Sequence, residues 1–338
     1  MVNAKSKSII ITGGARGIGR ATARYLLSQP LSHRVFLIDL DGDELEYAAT
    51  KHLSAYAPRV GYATANLRSQ QEIREAVAKA AKFFGGRIDV LVNNAGIARA
   101  FFTAGNGTME DVATAEQWQA YIDTNLSAPF WMSQAVIAFM KAQNPKIEGK
   151  GQTEQEGVDR EKDVKRHSEF SNLPEDLHGR DKSDEGGCIL HISSFRAHQS
   201  DPDCEGYGAT KAGLLGLTQA MAVSCQRWGI RVNMISPGWV SVSHECKEGD
   251  ETASATQGAP HEDDASRARL EIWAGNHSEL HHRQHLVGRV GQGEDIAEAI
   301  EYAMGAGFMS GQVCQPSYHP HKVMADTSTG NDPRRRGK

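Results

Sequence analysis

Short apolar runs alternate with amphipathic stretches over the first hundred residues. "KSIIIT" (7–12) is β-branched and continuously apolar, the pattern of a strand buried on both faces. "RATARYLLSQ" (20–29) then has helical spacing, and "RVFLIDL" (34–40) is a second apolar run. A helix near 43–55, a strand near 59–67, a helix through "EIREAVAKAAKFF" (72–84) and a strand in "IDVLVNNAG" (88–96) continue the series. This alternation predicts an α/β fold, a doubly wound parallel sheet with right-handed crossovers and helices on both faces.

The next helix is expected to start at Thr114, where Thr114 and Gln117 have capping-box spacing, with Pro129 kinking or dividing it. Residues 143–187 are charged and poor in large apolar side chains. Such a segment cannot bury enough surface to offset its ordering entropy, so it is read as a disordered insertion. It begins where a returning helix ends, at the amino edge of the sheet and away from the ligand-binding edge. "GGCILHISS" (186–194) resumes as a strand, followed by a helix over 207–228 and the strand "IRVNMIS" (230–236). A second polar stretch, 241–285, leaves the carboxyl edge, where a substrate-covering segment belongs. The last apolar run breaks at Pro316, and 316–338 reads as a polar tail. The whole is expected to be one domain carrying two polar insertions.

Composition narrows the classes. A net charge of -5 gives no reason to expect a nucleic-acid partner, and the "RRR" at 334–336 is too short to change that. The apolar run after Lys7 is too short for a signal-peptide core, and no stretch approaches the roughly 18 apolar residues of a membrane span. Five cysteines without a CxxC pair do not suggest a disulfide framework, so a reduced, cytoplasmic setting is expected.

"TGGARGIG" (12–19) lies between the first strand and the first helix, where a nucleotide-binding turn belongs. Gly13, Gly17 and Gly19 permit a tight turn, close approach to a pyrophosphate and close helix–strand packing, and the helix N-terminus attracts the phosphates. Ile18 belongs to the same turn, and the fold becomes Rossmann-like. Asp39 ends the second strand twenty residues past Gly19, where a carboxylate accepts from the adenosine ribose hydroxyls and repels a 2′-phosphate. Arg16 pulls the other way if its guanidinium pairs with that phosphate; a solvated turn residue is the alternative. NAD is favoured, with NADP as the second choice.

Six motifs in order, "TGGARGIG", "NNAG" (93–96), Asn125 in "DTNLSAPF", Ser194 in "ISS", "YGATK" (207–211) and "RVNMISPG" (231–238), resemble the short-chain dehydrogenase/reductases, in the shorter, non-extended branch. The resemblance runs from about residue 8 to 312 apart from the insertions. On a helix, positions i and i+4 share a face, so Lys211 is expected near the Tyr207 phenol, where a cation favours the phenolate. The resemblance implies that Tyr207 exchanges the substrate hydroxyl proton while the nicotinamide exchanges a hydride. It implies that Lys211 also binds the nicotinamide ribose, that Ser194 holds the substrate oxygen, and that Asn125 positions a water linking Lys211 to solvent. By position, Asn66 and Leu67 lie beside the adenine, Asn94, Ala95 and Gly96 pass under the cofactor, and Pro237, Gly238 and Val240 approach the carboxamide. Relatives often have threonine where this chain has Val242; Ser241 or Ser243 is the substitute clamp.

Other features carry less. His277, His281, His282 and His285 include metal-spaced pairs, but the inferred chemistry needs no metal. Cys204, Asp201, Asp203 and Glu205 precede Tyr207 and face either substrate or solvent. The helix "LLGLTQAMAVSC" (214–225) is apolar or small on more than one face, which suits burial by its sheet and a second subunit, and relatives dimerise there. A homo-oligomer, at least a dimer, is expected. The leading reading is an NAD(P)-dependent oxidoreductase interconverting a small-molecule secondary alcohol and ketone. A non-catalytic nucleotide-binding scaffold, and an epimerase or dehydratase using bound cofactor, are the alternatives.

Overall fold

The computed structural model describes residues 5–97, 101–143, 186–242, 277 and 279–316. Strands β1 (Ser8–Thr12), β2 (Arg34–Asp39), β3 (Val60–Thr64), β4 (Val90–Asn93), β5 (Cys188–Ile192), β6 (Arg231–Ile235) and β9 (Val313–Cys314) form one sheet. Their order is β3-β2-β1-β4-β5-β6-β9, and every pairing is parallel. Two further strands, β7 (Val240–Ser241) and β8 (Gly291–Gln292), pair separately. The doubly wound, Rossmann-like α/β fold is therefore the one the alternation predicts.

Strand alternation builds two cores. Ile9, Ile11, Val35 and Leu37 point to one face, where they pack with Leu26 and Leu27 of α1 (Gly17–Ser28) and Ile296 and Ile300 of α8 (Gly293–Gly305). Ile10, Phe36 and Ile38 point to the other, against Ile73 and Val77 of α3 (Gln70–Phe84), Met132 and Val136 of α5 (Ala128–Ala142), and Met221 of α6 (Glu205–Cys225). All three isoleucines of β1 are fully buried, each stabilising the fold by about 1.5–3 kcal/mol relative to exposure. Because the strand order reverses between β1 and β4, their carboxyl ends flank a crevice.

Three helices differ from expectation. The region 43–55 divides into α2 (Gly42–Tyr47), a π-helical turn Ala48–His52 and a 3-10 turn Ser54–Tyr56. The expected long helix from Thr114 is also divided: α4 (Ala115–Tyr121) passes into a π-helical stretch, Ile122–Ser127, before α5 opens with Pro129 in its first turn. The Thr114–Gln117 capping box does not form. Thr114 Oγ1 donates to Asp111 O, and Gln117 instead accepts from Thr103 N and Ala104 N. The helix expected over 207–228 starts two residues earlier, at Glu205.

Gln143 Nε2 donates to Ile88 O just before β4, so α5 ends at the amino edge of the sheet. Val240 and Ser241 follow β6 at the opposite edge. Most of 143–187 and 241–285, and all but Pro316 of the tail, lie outside the described residues. The final strand is short, pairing only Val313 and Cys314 with Met234 and Ile235 before Pro316. A short helix, α7 (Glu279–Arg283), precedes β8.

Candidate active site

One cavity of about 520 Å³ lies along the carboxyl edge. Gly13, Arg16, Gly17, Ile18, Asp39, Asn66, Leu67, Asn94, Ala95 and Gly96 line its nucleotide-turn side, and Ser194, Tyr207, Lys211, Pro237, Gly238 and Val240 line the other. Two predicted residues do not line it, Gly19 and Asn125.

The turn requires its glycines. Gly13 has φ +65°, and a Cβ there would lie 2.8 Å from Ala95 Cα; Gly17 has φ +56°. Gly19 faces inward, where a Cβ would meet Gly13 O at 2.1 Å, so it acts through packing. The turn is tied to β4 by Thr12, whose Oγ1 accepts from Asn94 N and Ala95 N, both at 3.0 Å. Asn94 Nδ2 returns bonds to Thr12 O at 3.0 Å and Gly13 O at 3.1 Å. The N-cap of α1, Arg16, makes no side-chain cap bond, and the first turn contains no acid, which leaves the positive helix end facing the cavity.

Asp39 is fixed by backbone donors. Its Oδ2 accepts from Ala15 N at 3.0 Å, and its Oδ1 from Leu40 N at 2.7 Å and Asp41 N at 3.2 Å. The Arg16 side chain is half-exposed, and its Nη2 pairs with Asp41 Oδ2 at 2.6 Å. Asp41 also caps α2, accepting from Glu44 N at 3.0 Å.

At the other end, Tyr207 and Lys211 lie one turn apart on α6, both buried. Ser194, two residues past β5, lines the same cavity, and its hydroxyl makes the Tyr207 phenol easier to ionise. Lys211 Nζ donates to Ile192 O at 2.9 Å and lies 5.5 Å from the centre of the Tyr207 ring. Burial pushes Lys211 down to about 8. Burial also pushes Tyr207 up to about 12, outweighing the lowering effects of the Ser194 hydroxyl and the Arg196 charge. The shared face is as predicted, but the ammonium is directed to a backbone carbonyl and desolvation dominates.

Asn125 sits in the π-helical stretch, behind the cavity. Its Oδ1 accepts from Ile97 N at 2.7 Å, and its Nδ2 donates to Ile97 O at 3.2 Å and Thr210 Oγ1 at 3.4 Å. Of the side chains near the threonine position of relatives, Val242 lines the cavity, Ser241 is exposed, and Ser243 lies outside the described residues. Among the histidines, His285 is neutral and structural: Nε2 accepts from Trp239 N at 3.1 Å while Nδ1 donates to His281 O at 2.9 Å. His282 Nδ1 accepts from Val290 N.

The sequence reading missed Arg196 altogether. It lines the cavity two positions past Ser194, buried among Phe195, Phe101 and Trp239. No sequence signal distinguishes it from a solvated loop arginine, because its burial comes from rings that meet only in the fold.

A family model described as short chain dehydrogenase matches residues 7–149, and one described as enoyl-(acyl carrier protein) reductase matches 152–264. Rat 3-hydroxyacyl-CoA dehydrogenase type-2 is 30% identical over 68% of this chain and 71% of its own length. The chain belongs to the short-chain dehydrogenase/reductase family. An uncharacterized oxidoreductase of Thermotoga maritima is 27% identical over 91% of this chain and 93% of its own length. In fold, 3-ketoacyl-(acyl-carrier-protein) reductase from Brucella melitensis, solved with NADH, is similar with TM-score 0.66 at 18% identity, covering 94% of this chain and 99% of its own.

As a short-chain dehydrogenase/reductase, the chain is an oxidoreductase of the NAD(P)-using class. Its residues fit that cofactor: positive-φ glycines at 13 and 17, with a Cβ at Gly13 in collision, an unopposed helix N-terminus, and one cavity joining Asp39 to Tyr207. Among the described residues, no helix is long and apolar enough to cross a membrane.

Proposed function

We propose that this dehydrogenase/reductase interconverts a secondary alcohol and a ketone, with Tyr207 as the acid/base. The observation that carries the reading is the convergence of Ser194, Tyr207 and Lys211 on one cavity with the glycine turn. A bound nicotinamide supplies or accepts the hydride. In the reducing direction, Tyr207 gives its phenolic proton to the substrate oxygen, which becomes the hydroxyl; in the oxidising direction it takes that proton back. Burial keeps the phenol protonated at neutral pH, which suits a proton donor. Ser194 donates to the substrate oxygen and orients it. Lys211 holds the nicotinamide ribose, and Asn125, whose side chain is fixed by the Ile97 backbone, positions a water that links Lys211 to solvent.

The same reading assigns NAD as the preferred cofactor. Asp39, fixed at the end of β2, would accept from the adenosine ribose hydroxyls, and Asp41 pairs with the turn arginine that would otherwise meet a 2′-phosphate. Gly13, Arg16, Gly17, Ile18, Asn66, Leu67, Asn94, Ala95, Gly96, Pro237, Gly238 and Val240 form the cofactor's walls, and Gly19 supports them by packing.

A panel of secondary alcohols and ketones, run with NAD and NADP in both redox forms and followed by nicotinamide absorbance, tests the assignment. Turnover with NAD preferred is expected. Binding of cofactor without turnover of any panel member would sink the assignment in favour of a scaffold, and conversion without net absorbance change would favour an epimerase or dehydratase.

A second copy of the chain is assigned to the outer face of α6, where Val223 is exposed. Light scattering is expected to give at least a dimer mass; a monomer at micromolar concentration would contradict it.

A further inference from the structure

Arg196 is a charged side chain in the site to which the proposed reaction gives no role. It is 3% exposed, although arginine is almost never fully buried without a partner. Its guanidinium carbon lies 5.1 Å from the ring centre of Phe195, 5.4 Å from Phe101 and 5.6 Å from Trp239. Nη1 donates to Cys204 Sγ at 3.6 Å and pairs with Asp201. Cys204 is packed in one cluster with Tyr207, Tyr121 and Phe102. The Arg196 backbone N–H donates to Ser194 Oγ at 3.2 Å, so the same residue also holds the Ser194 side chain.

The pair is asymmetric. The Arg196 side chain is 2% exposed and that of Asp201 is 48% exposed. A cation clamped between ring faces, with its head engaged by Cys204 and Asp201, is poorly placed to receive a substrate anion. Its field nevertheless acts at short range through apolar surroundings, where charge is weakly screened. The half-exposed carboxylate offsets that field from the rim.

We propose that Arg196 is a positioning residue for Tyr207: its buried charge favours the phenolate, its backbone holds Ser194 in place, and Asp201 sets how much of the charge the phenol feels. The inference rests on Tyr207 being the acid/base. The groups facing the phenol are Ser194 from two residues past β5, Arg196 and Cys204 from the segment before α6, Tyr121 from α4, and Lys211 from its own helix. Of these, the Ser194 hydroxyl and the Arg196 charge make the phenol easier to ionise, while Cys204 and Tyr121 make it harder. Lys211 is directed to Ile192 O. Arg196 is therefore the nearby cation whose effect on the phenol can vary, through Asp201.

The test compares the pH dependence of kcat/KM for alcohol oxidation in wild type, Arg196→Met, Arg196→Lys and Asp201→Asn. Arg196→Met is expected to move the ionising limb upward by about one pH unit, a tenfold rate loss at fixed pH on that limb. Arg196→Lys should restore most of it, and Asp201→Asn should move the limb downward. Tyrosinate difference absorbance in the cofactor-free protein, with Tyr207→Phe subtracted, should shift in the same directions. Unmoved limbs and unmoved tyrosinate midpoints, or an effect on KM alone, would overturn the proposal and make Arg196 structural or substrate-binding. If Tyr207→Phe retained full activity, the acid/base reading itself would fail, and the tyrosinate titration would still show whether Arg196 acts on the phenol.

Discussion

Among the polar contacts of Asp41, its bond to Arg16 is the one that bears on the cofactor. Replacing Asp41 with asparagine leaves Asp39 in place and releases the guanidinium towards the ribose end of the cavity. At 41% and 38% side-chain exposure, the pair is worth at most about 1 kcal/mol. Asp41→Asn should therefore tighten NADP binding by up to about fivefold and leave NAD nearly unchanged, measured by titration calorimetry. Equal effects on both cofactors would refute the role given to Asp41. The residues legible in the sequence at this scale were those fixed by local spacing: the Tyr207–Lys211 pair, the glycines and Asp39. What the sequence could not convey was collective. Burial, which depends on every neighbour at once, raised Tyr207 and made Arg196 part of the site.

The division of the expected helix from Thr114 matters most among the elements. A π-helical stretch widens the turn and rotates the chain beyond it, and here it carries Asn125 into contact with Ile97. Helical periodicity and Pro129 pointed to a kink or break, yet nothing in 114–142 distinguishes α from π hydrogen bonding. Within the π stretch, Asn125 bonds to Ile97 outside the helix, a contact that helical periodicity does not carry. Asn125→Ala leaves the part-buried Ile97 amide without its acceptor, at a cost of about 1 kcal/mol. Urea denaturation should show that loss of stability. An unchanged midpoint would mean that the clamp does not support the loop after β4. The central strands, by contrast, were legible to within two or three residues at their ends, because a sheet buried on both faces demands unbroken apolar runs.

Over the whole molecule, the buried His191 links stability to pH. Desolvation, followed by the nearby Lys211 charge, holds it down to about 4. Its folded-state value lies below the ordinary histidine value, so the unfolded chain takes up the proton first. The associated stability is fully present above about pH 6.5 and is lost as pH falls towards 4, by at most about 3 kcal/mol. His191→Gln should flatten this acid limb of unfolding free energy between those two pH values; an acid limb as steep as wild type would place the effect elsewhere. The central claim, that a protonated Tyr207 in a nicotinamide-binding crevice performs the proton transfer, is tested most directly by one comparison. Turnover of the best panel substrate is measured for wild type and Tyr207→Phe, alongside cofactor affinity. A fall of at least about 10²-fold in kcat with cofactor affinity retained is predicted. A variant that turns over like wild type would contradict it.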